Sequence, residues 1–414
     1  MKLLNLLLFL AFGAISAFSQ GVNLTSIHLP FPVGISDVNT FHSIMRLEGK
    51  TLYVPTSNGM YSLDLNNTGA GWHLQGFEGE NLIECVHKGD EWLAITRNRS
   101  TNLLLRSADG GKTFVDYTPY GLFQENTYRQ VWRLCQDPTN ADVIYLLSGY
   151  AGLLKSEDFG KSWRLLTDCV NANSTYCGFE MHPLNANILV QHAENGALEP
   201  AIQISYNGGI NWINSWGYPT PDITLPDYPK YSEDCIHDVA FHPTDTNIWI
   251  FGGEGVITKS TDCGKTWTHK GDSWGYHYVT LFDARNPDVV FSVGVNNKGS
   301  GYAGYCFYVS TDCGETWRNV YTHVPATPSN SNYSDIKQTD DSLIILGEEE
   351  LYFVKKRELL ANSGVQNVTM GGNERNNNVY SIDGILLMHD ASKTDLLKLP
   401  VGIYIYNKEK IAIR

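Results

Sequence analysis

Short apolar runs recur along the chain, and each is followed by a polar turn of constant form. The runs lie at 103–105, 153–154, 202–204, 256–257 and 307–309, and within three residues of each a serine opens the turn. Apolar runs bounded by Gly, Asp and Ser are typical of strands that enter turns. The pattern therefore predicts a repeated unit of strand, turn and strand, and no stretch has the periodicity of an amphipathic helix.

The polar turn has the form Ser-x-Asp-x-Gly-x-Thr-Trp, which we call the box, and it recurs about every 50 residues. The copies span 107–114, 156–163, 205–212, 260–267 and 310–317; the third is weaker, with Asn207 and Asn211 at the Asp and Thr positions. The Asp side chain accepts bonds from nearby backbone N–H groups, and Gly permits a turn conformation closed to other residues. The final Trp or Phe supplies an apolar face that seals the hairpin. Repetition at this period predicts a repeat fold.

The boxes resemble the Asp-box (BNR) repeats of sialidases, xyloglucan-degrading glycosidases and sortilin-type receptors. A second shared element, a strand followed by a turn, precedes the boxes and resembles the turn that opens each blade in that superfamily. Its copies end in Asp137-Pro138, His182-Pro183, His242-Pro243 and Asp283-Ala284. The resemblance covers about residues 35–355 and implies an all-β fold, the β-propeller. It implies no activity, because the boxes occur on proteins with unrelated functions.

The spacing of the repeats predicts seven blades. Ser62-x-Asp64 followed by Gly71-Trp72 fits a degenerate box one period before Ser107, and the apolar run 351–354 fits a strand that has lost its box. A seven-bladed β-propeller over 21–360 is therefore expected, with six blades as the alternative if the first or last unit is not a blade.

The two ends predict an exported protein. Residues 1–20 have Lys2, a mostly apolar run at 3–18 and small residues before Ser19, as in a signal peptide; a buried first strand is the alternative. After an Asn- and Gly-rich linker at 361–378, residues 379–414 resemble the C-terminal sorting domain of Bacteroidota proteins exported by type IX secretion, a small β-sandwich. The elements that carry this resemblance are 379–384 and 399–406, and a plain accessory β-module is the alternative. Both readings predict a secreted or cell-surface protein.

Composition narrows the choice of partner. Charged residues make up 18% of the chain and its formal net charge is −14, which argues against nucleic acid and anionic membranes as partners. The net charge does not argue against a local basic pocket that binds an acidic sugar. No cofactor or metal is expected, since no CxxC or His/Cys spacing is present.

The cysteines of an exported protein are expected to form disulfides in part. Cys169 and Cys177 are the best candidates for a bridge, and Cys263 and Cys313 occupy the same box position. Three others, Cys85, Cys135 and Cys235, fall on predicted inner strands as small buried residues.

The connections from each box to the next blade are rich in aromatic residues. They supply the candidate substrate-binding residues Trp216, Tyr218, Trp274, Tyr276 and His277. Exposed aromatic rings suit the apolar faces of pyranose rings, so the set predicts a glycan surface. The alternative is that these rings only pack the loops onto the rim.

Polar residues on the predicted inner strands are the catalytic candidates, because inner strands line the channel of a propeller. They are His237, Glu84, Glu180 and Asp238, with Arg129, Arg133 and His42 as further substrate-binding candidates. His237 suits a base near neutral pH, and Glu84 with Glu180 suits a glycosidase carboxylate pair. The alternative is that all of them are solvated channel residues.

Departures from the resembled families limit the function. The Arg-Ile-Pro motif of sialidases is absent, and the chain has room for one propeller where xyloglucan-degrading enzymes have two. The ten-bladed propeller and Cys-rich module of sortilin-type receptors are missing as well. The sequence therefore predicts an exported glycan-binding propeller without membrane insertion, which, if it is an enzyme, is a glycoside hydrolase or polysaccharide lyase. The alternative is a non-enzymatic scaffold or adhesin that holds a protein on the propeller face.

Overall fold

The computed structural model describes most of residues 24–361 and part of the C-terminal region. The described residues are 24–33, 43–98, 101–118, 131–149, 151–170, 177–193, 200–217, 236–296, 305–321, 335–361, 379–381, 386–388, 396, 402–406 and 409–413. They are almost entirely β, with one short α-helix, α1 (Lys356–Ala361), among them. No helix in these ranges is long and apolar enough to span a membrane.

The first strand of the chain, β1 (Leu24–His28), is followed by four blades, each a four-stranded antiparallel sheet. Blade 1 holds β2 (Arg46–Glu48), β3 (Thr51–Thr56), β4 (Gly59–Asp64) and β5 (His73–Gly76), with a 3₁₀ turn at Thr68–Ala70. Blade 2 holds β6 (Leu82–Lys88), β7 (Glu91–Asn98), β8 (Thr101–Ser107) and β9 (Val115–Asp116). Blade 3 holds β10 (Val131–Gln136), β11 (Ile144–Ser148), β12 (Gly152–Ser156) and β13 (Arg164–Thr167). Blade 4 holds β14 (Cys177–Met181), β15 (Leu189–Ala193), β16 (Pro200–Ser205) and β17 (Ile213–Gly217).

Blades 5 and 6 share one long strand. Blade 5 holds β18 (Asp238–Phe241), β19 (Trp249–Gly252), β20 (Glu254–Ser260) and the start of β21 (Thr268–Phe282). The end of β21 is the inner strand of blade 6, which continues with β22 (Val290–Asn296), β23 (Tyr305–Ser310) and β24 (Arg318–Tyr321). The two blades therefore form one seven-stranded sheet.

The last blade is completed by the N-terminal strand. Blade 7 holds β25 (Asp335–Gln338), β26 (Ser342–Leu346) and β27 (Glu350–Lys355), and β1 pairs with β27 as its outermost strand. The predicted seven-bladed propeller is confirmed, and the six-bladed alternative is excluded because both the degenerate first unit and the boxless last unit are blades. The closing role of β1 was not predicted, since Leu24–His28 carries only two apolar residues and no box.

The box turns all lie on one face of the ring. Each box joins the third and fourth strands of its blade, on the same face as the turn between the first and second strands. A backbone bond links these two turns in every box blade, for example Cys263 N–H to the Asn247 carbonyl at 3.0 Å. We call this the box face. The connection from each outermost strand to the next inner strand lies on the opposite side, which we call the mouth face.

The four boxes that contain Asp have the same internal hydrogen bonds, and the box of blade 4 has all of them except the bond to a side-chain hydroxyl. In blade 5 the Ser260 hydroxyl accepts the Gly264 N–H at 2.8 Å, and the Asp262 carboxylate accepts both the N–H and the hydroxyl of Thr266. Gly264 has a positive φ of 75°, as the turn requires. Trp267 is buried, and its indole N–H donates to the Ser215 hydroxyl of blade 4 at 2.8 Å. The box of blade 5 therefore shapes its own turn and also holds its blade against blade 4.

The apolar core lies between adjacent blades. Ile83 and Leu93 of blade 2, for example, pack in one cluster with Leu134 and Leu146 of blade 3. Beyond the propeller, the C-terminal region contains one sheet with the strand order β29 (Leu386–Met388), β28 (Val379–Ser381), β30 (Gly402–Tyr406) and β31 (Glu409–Ile413). The predicted signal peptide at 1–20 lies outside the described residues.

Candidate functional site

The inner strands bring a set of charged residues together along the channel. Each inner strand starts on this face, and Asp238 and Asp335 are the first residues of β18 and β25. Glu84 is the third residue of β6, Arg133 the third of β10 and Glu180 the fourth of β14. Four of the residues predicted to line the channel, Glu84, Arg133, Glu180 and Asp238, thus lie on four consecutive inner strands.

Arg133 holds two carboxylates from the blades on either side. Its Nη1 donates to Glu180 Oε1 at 3.0 Å, and its Nε lies 3.5 Å from Glu84 Oε2. The exposed side-chain fractions of Arg133 and Glu180 are 15% and 22%, so this ion pair is reached by solvent. The guanidinium therefore links blades 2, 3 and 4 through side chains that line the channel.

A buried histidine extends the network to blade 5. His192 Nε2 lies 3.8 Å from Glu180 Oε1, and its Nδ1 lies 3.1 Å from the Ile236 carbonyl oxygen. Because a carbonyl oxygen only accepts, Nδ1 carries the hydrogen of this bond. His192 therefore connects Glu180 to the residues just before β18, where His237 lies half-buried.

Three carboxylates fasten neighbouring inner strands to one another. Glu84 Oε2 accepts the Leu134 N–H at 2.7 Å, which joins blades 2 and 3. Asp238 Oδ2 accepts the Thr280 N–H at 3.2 Å, which joins blades 5 and 6. The third, Asp335, accepts the Met45 N–H at 2.8 Å across the closure between blades 7 and 1. Glu84 and Asp238, predicted as catalytic, thus have a structural role as well.

Lys337, Asp335 and His192 were missed from the sequence. Lys337 Nζ lies 2.6 Å from Asp335 Oδ2, and both belong to the inner strand of blade 7. The repeat register could have identified Asp335, because it precedes Thr339 by four residues as Asp238 precedes His242 and Arg133 precedes Asp137. His192 lies on a second strand, for which the repeats predict only packing residues.

The carboxyl groups of the site differ in their ionisation. Burial raises the pKa of Asp238 to about 8, and the negative charge of Glu180 adds to the rise. Burial likewise raises the pKa of Glu84, against the opposing effect of Arg133. For Glu180 burial acts in the same direction, but Arg133 and His192 together outweigh it and hold the pKa below its ordinary value. The two pKa values are thus shifted in opposite directions, which favours a proton on Asp238 and a negative charge on Glu180, and acid–base catalysis uses such a pair.

Two predicted ligand-binding tryptophans lie on mouth-face segments of neighbouring blades. Trp216 is near the end of β17, the outermost strand of blade 4, as that strand reaches the mouth face. Trp274 lies in β21 where it crosses from blade 5 to blade 6, between Asp272, which pairs with Val256, and Gly275, which pairs with Asn296. Tyr276 follows in the same strand. The backbone thus carries aromatic positions on the face where the inner strands begin.

His277 does not fit the predicted role in ligand binding. Its ring is buried, its Nδ1 lies 2.7 Å from the Ser292 hydroxyl, and it packs against Tyr308 with ring centroids 4.7 Å apart. The predicted residues Tyr218, His42 and Arg129 lie outside the described residues.

The predicted disulfide between Cys169 and Cys177 is not formed. Their sulfurs lie 3.4 Å apart, which is a thiol hydrogen bond rather than a covalent distance. Cys85 is buried on its inner strand, as expected, and Cys135 is half-buried; Cys235 lies outside the described residues. Within the described ranges no group of three or more His, Cys, Asp or Glu side chains could hold a metal ion.

The fold is similar to several solved β-propellers. The GH74 xyloglucanase of Xanthomonas campestris matches with a TM-score of 0.55 and 14% identity, over 80% of this chain and 53% of that enzyme. The GH74 enzyme of Niastella koreensis matches with a TM-score of 0.55 and 15% identity, over 78% and 53%. YCF48 bound to a D1 peptide matches with a TM-score of 0.54 and 16% identity, over 80% of this chain and 96% of that one.

At these identities the likeness establishes the fold alone. The chain spans about half the length of the GH74 enzymes that it matches. A scan against protein-family models finds no match, and no curated protein matches.

Proposed function

We propose that this chain is an exported protein that binds a polysaccharide across the mouth face of its propeller. Two observations carry the proposal: the aromatic positions Trp216 and Trp274 lie on mouth-face segments of adjacent blades, and the channel that opens between the blades is lined by the polar residues around Arg133. Aromatic rings stack on sugar faces while polar groups bind the hydroxyls. The fold similarity to GH74 enzymes agrees with a glycan ligand.

The acid and base of the site would support hydrolysis. If the protein is a glycoside hydrolase, protonated Asp238 would donate a proton to the leaving oxygen of the glycosidic bond. Ionised Glu180 would then act as the base or the nucleophile. Both groups also hold structural bonds, Asp238 to Thr280 and Glu180 to Arg133, so binding is the function that the geometry supports best.

Affinity electrophoresis against a panel of plant and host polysaccharides tests the proposal, with released sugars measured in parallel. We expect retardation by at least one polysaccharide, and Trp274→Ala is expected to reduce it at least tenfold while leaving the melting temperature nearly unchanged. Asp238→Asn should abolish any sugar release. A protein that no polysaccharide retards would refute glycan binding.

A protein-binding scaffold is the second candidate, and one observation favours it. YCF48 is matched over 96% of its length, and it is solved in complex with a peptide. This single propeller has a similar extent, whereas the GH74 enzymes are about twice as long. Retention of peptides on an array, abolished by Trp274→Ala and combined with no polysaccharide binding, would support this candidate over the first.

A further inference from the structure

The cations on the inner strands are already engaged by carboxylates. Among the described residues these strands carry four Lys or Arg side chains, and each forms an ion pair: Arg46 with Glu48, Lys88 with Asp142, Arg133 with Glu180, and Lys337 with Asp335. Recognition of an anionic sugar requires a cationic donor that can turn to the ligand. Within the described part of the inner strands, the channel therefore has polar groups, but each of its cations is already paired with a carboxylate.

Among these ion pairs, the one between Arg133 and Glu180 is the pair whose effect on ligand binding we consider. Both side chains are reached by solvent, so they differ from a fully buried structural pair. Glu180 is the second carboxylate on a guanidinium that Glu84 already contacts from the other side. Arg133 therefore faces a carboxylate on two sides, and the second carboxylate adds negative charge beside the guanidinium.

We infer that Glu180 is a specificity-determining residue that occupies Arg133 and thereby excludes anionic glycans, such as uronate or sulfated polymers, from the mouth face. This inference rests on the proposed function and names the class of polysaccharide: one whose sugars carry no acidic groups. Glu180 acts on the ligand through Arg133, as a positioning residue. The formal net charge of −14 also repels polyanions at longer range, which adds to the effect of Glu180.

The test compares neutral and anionic forms of the same polymer. The probes are hydroxyethylcellulose with carboxymethylcellulose, and dextran with dextran sulfate, measured by affinity electrophoresis with the full chain and with Glu180→Gln. The wild-type protein is expected to bind the neutral polymer of a pair and not to bind the anionic polymer. Glu180→Gln removes the negative charge beside Arg133 Nη1 and should raise the affinity for the anionic member about tenfold, since a hydrogen bond to a charged group is of that order. Raising the salt concentration should remove the gain, which a merely structural role for Glu180 would not predict.

Glu157→Gln is the matched control. Glu157 lies on the box face, paired with Lys155, and its replacement removes the same charge and also releases a cation, but away from the mouth. An equal gain of anionic binding in both variants, or none in Glu180→Gln, would overturn the inference. Equal wild-type affinity for both members of a pair would also overturn it, while leaving glycan binding intact. If the wild-type protein binds no polymer of either kind or of the wider panel, the proposed function fails instead.

Discussion

At the residue scale, the box glycine of blade 5 is constrained both by its backbone and by its neighbours. A Cβ added to Gly264 would lie 2.5 Å from the Trp249 ring and 2.7 Å from Ile204 of the preceding blade, and φ is 75°. We expect Gly264→Ala to lower the free energy of unfolding by about 3 kcal/mol, from overpacking and from the left-handed backbone together. Chemical denaturation measures the change.

The control for this variant is Gly49→Ala. Gly49 has a similar φ of 59° but no atom within 4 Å of an added Cβ. It isolates the backbone contribution, which is about 1 kcal/mol. If both variants lose the same stability, the box glycine does not act through contact with the neighbouring blade.

His182 should make the protein less stable in mild acid. Its buried Nδ1 accepts the Leu184 N–H at 3.1 Å, and burial lowers its pKa from 6.5 to about 4. The unfolded chain therefore binds a proton that the folded chain does not, so the stability is fully present above pH 6.5 and is lost as the pH falls towards 4. In His182→Asn, which keeps an acceptor, the free energy of unfolding should fall less over this range. The control is His73→Asn, which replaces an exposed histidine. If the stability of His182→Asn depends on pH in the same way as that of the control and of the wild type, the lowered pKa of His182 would be contradicted.

The sequence predicts the role of the box residues but not the bonds that the inner-strand carboxylates make. The box serines, glycines and Trp267 follow from the motif, because each has a fixed task within one turn. The carboxylates of Glu84, Asp238 and Asp335 bind backbone groups of the next blade. Contacts between blades cannot be predicted from the sequence pattern within one repeat. Their polar character indicated the channel, but not the strand-to-strand bonds that they make.

At the scale of the element, the weak third box tests what the motif contributes. Asn207 Oδ1 accepts the Asn211 N–H at 2.9 Å, whereas in blade 5 a second carboxylate oxygen also accepts the Thr266 hydroxyl. The double variant Asn207→Asp with Asn211→Thr restores that bond and should stabilise the protein by about 1 kcal/mol. The reverse change, Asp262→Asn, should cost a similar amount. Thermal denaturation that shows no gain in the first and no loss in the second would mean that the hydroxyl bond is immaterial.

β21 is an element that the repeats did not predict. The repeat pattern predicts a connection between two blades for the aromatic residues of 271–278, yet the backbone continues from blade 5 into blade 6 as one strand. Gly271 and Gly275 within it disfavour a strand by local propensity, and pairing with β20 and β22 on the two blades overrides that preference.

At the scale of the whole molecule, the ring depends on a strand from the far end of the chain. β1 pairs with β27 over five residues, and Leu29 and Val33 beyond it are buried. A protein that begins at residue 34 should therefore lose cooperative unfolding or melt at a much lower temperature, because blade 7 loses its outer strand. A protein that begins at residue 21 keeps β1 and is the control. Equal melting temperatures for the two proteins would show that β1 does not close the ring.

Hydrogen exchange with and without a retained polysaccharide tests the central claim most directly, since it reports which face of the ring meets the ligand. We predict slower exchange at the starts of β10, β14 and β18 and across 271–276, with box turns such as 260–267 unchanged. Slower exchange confined to the box turns, with none at the mouth face, would contradict the account.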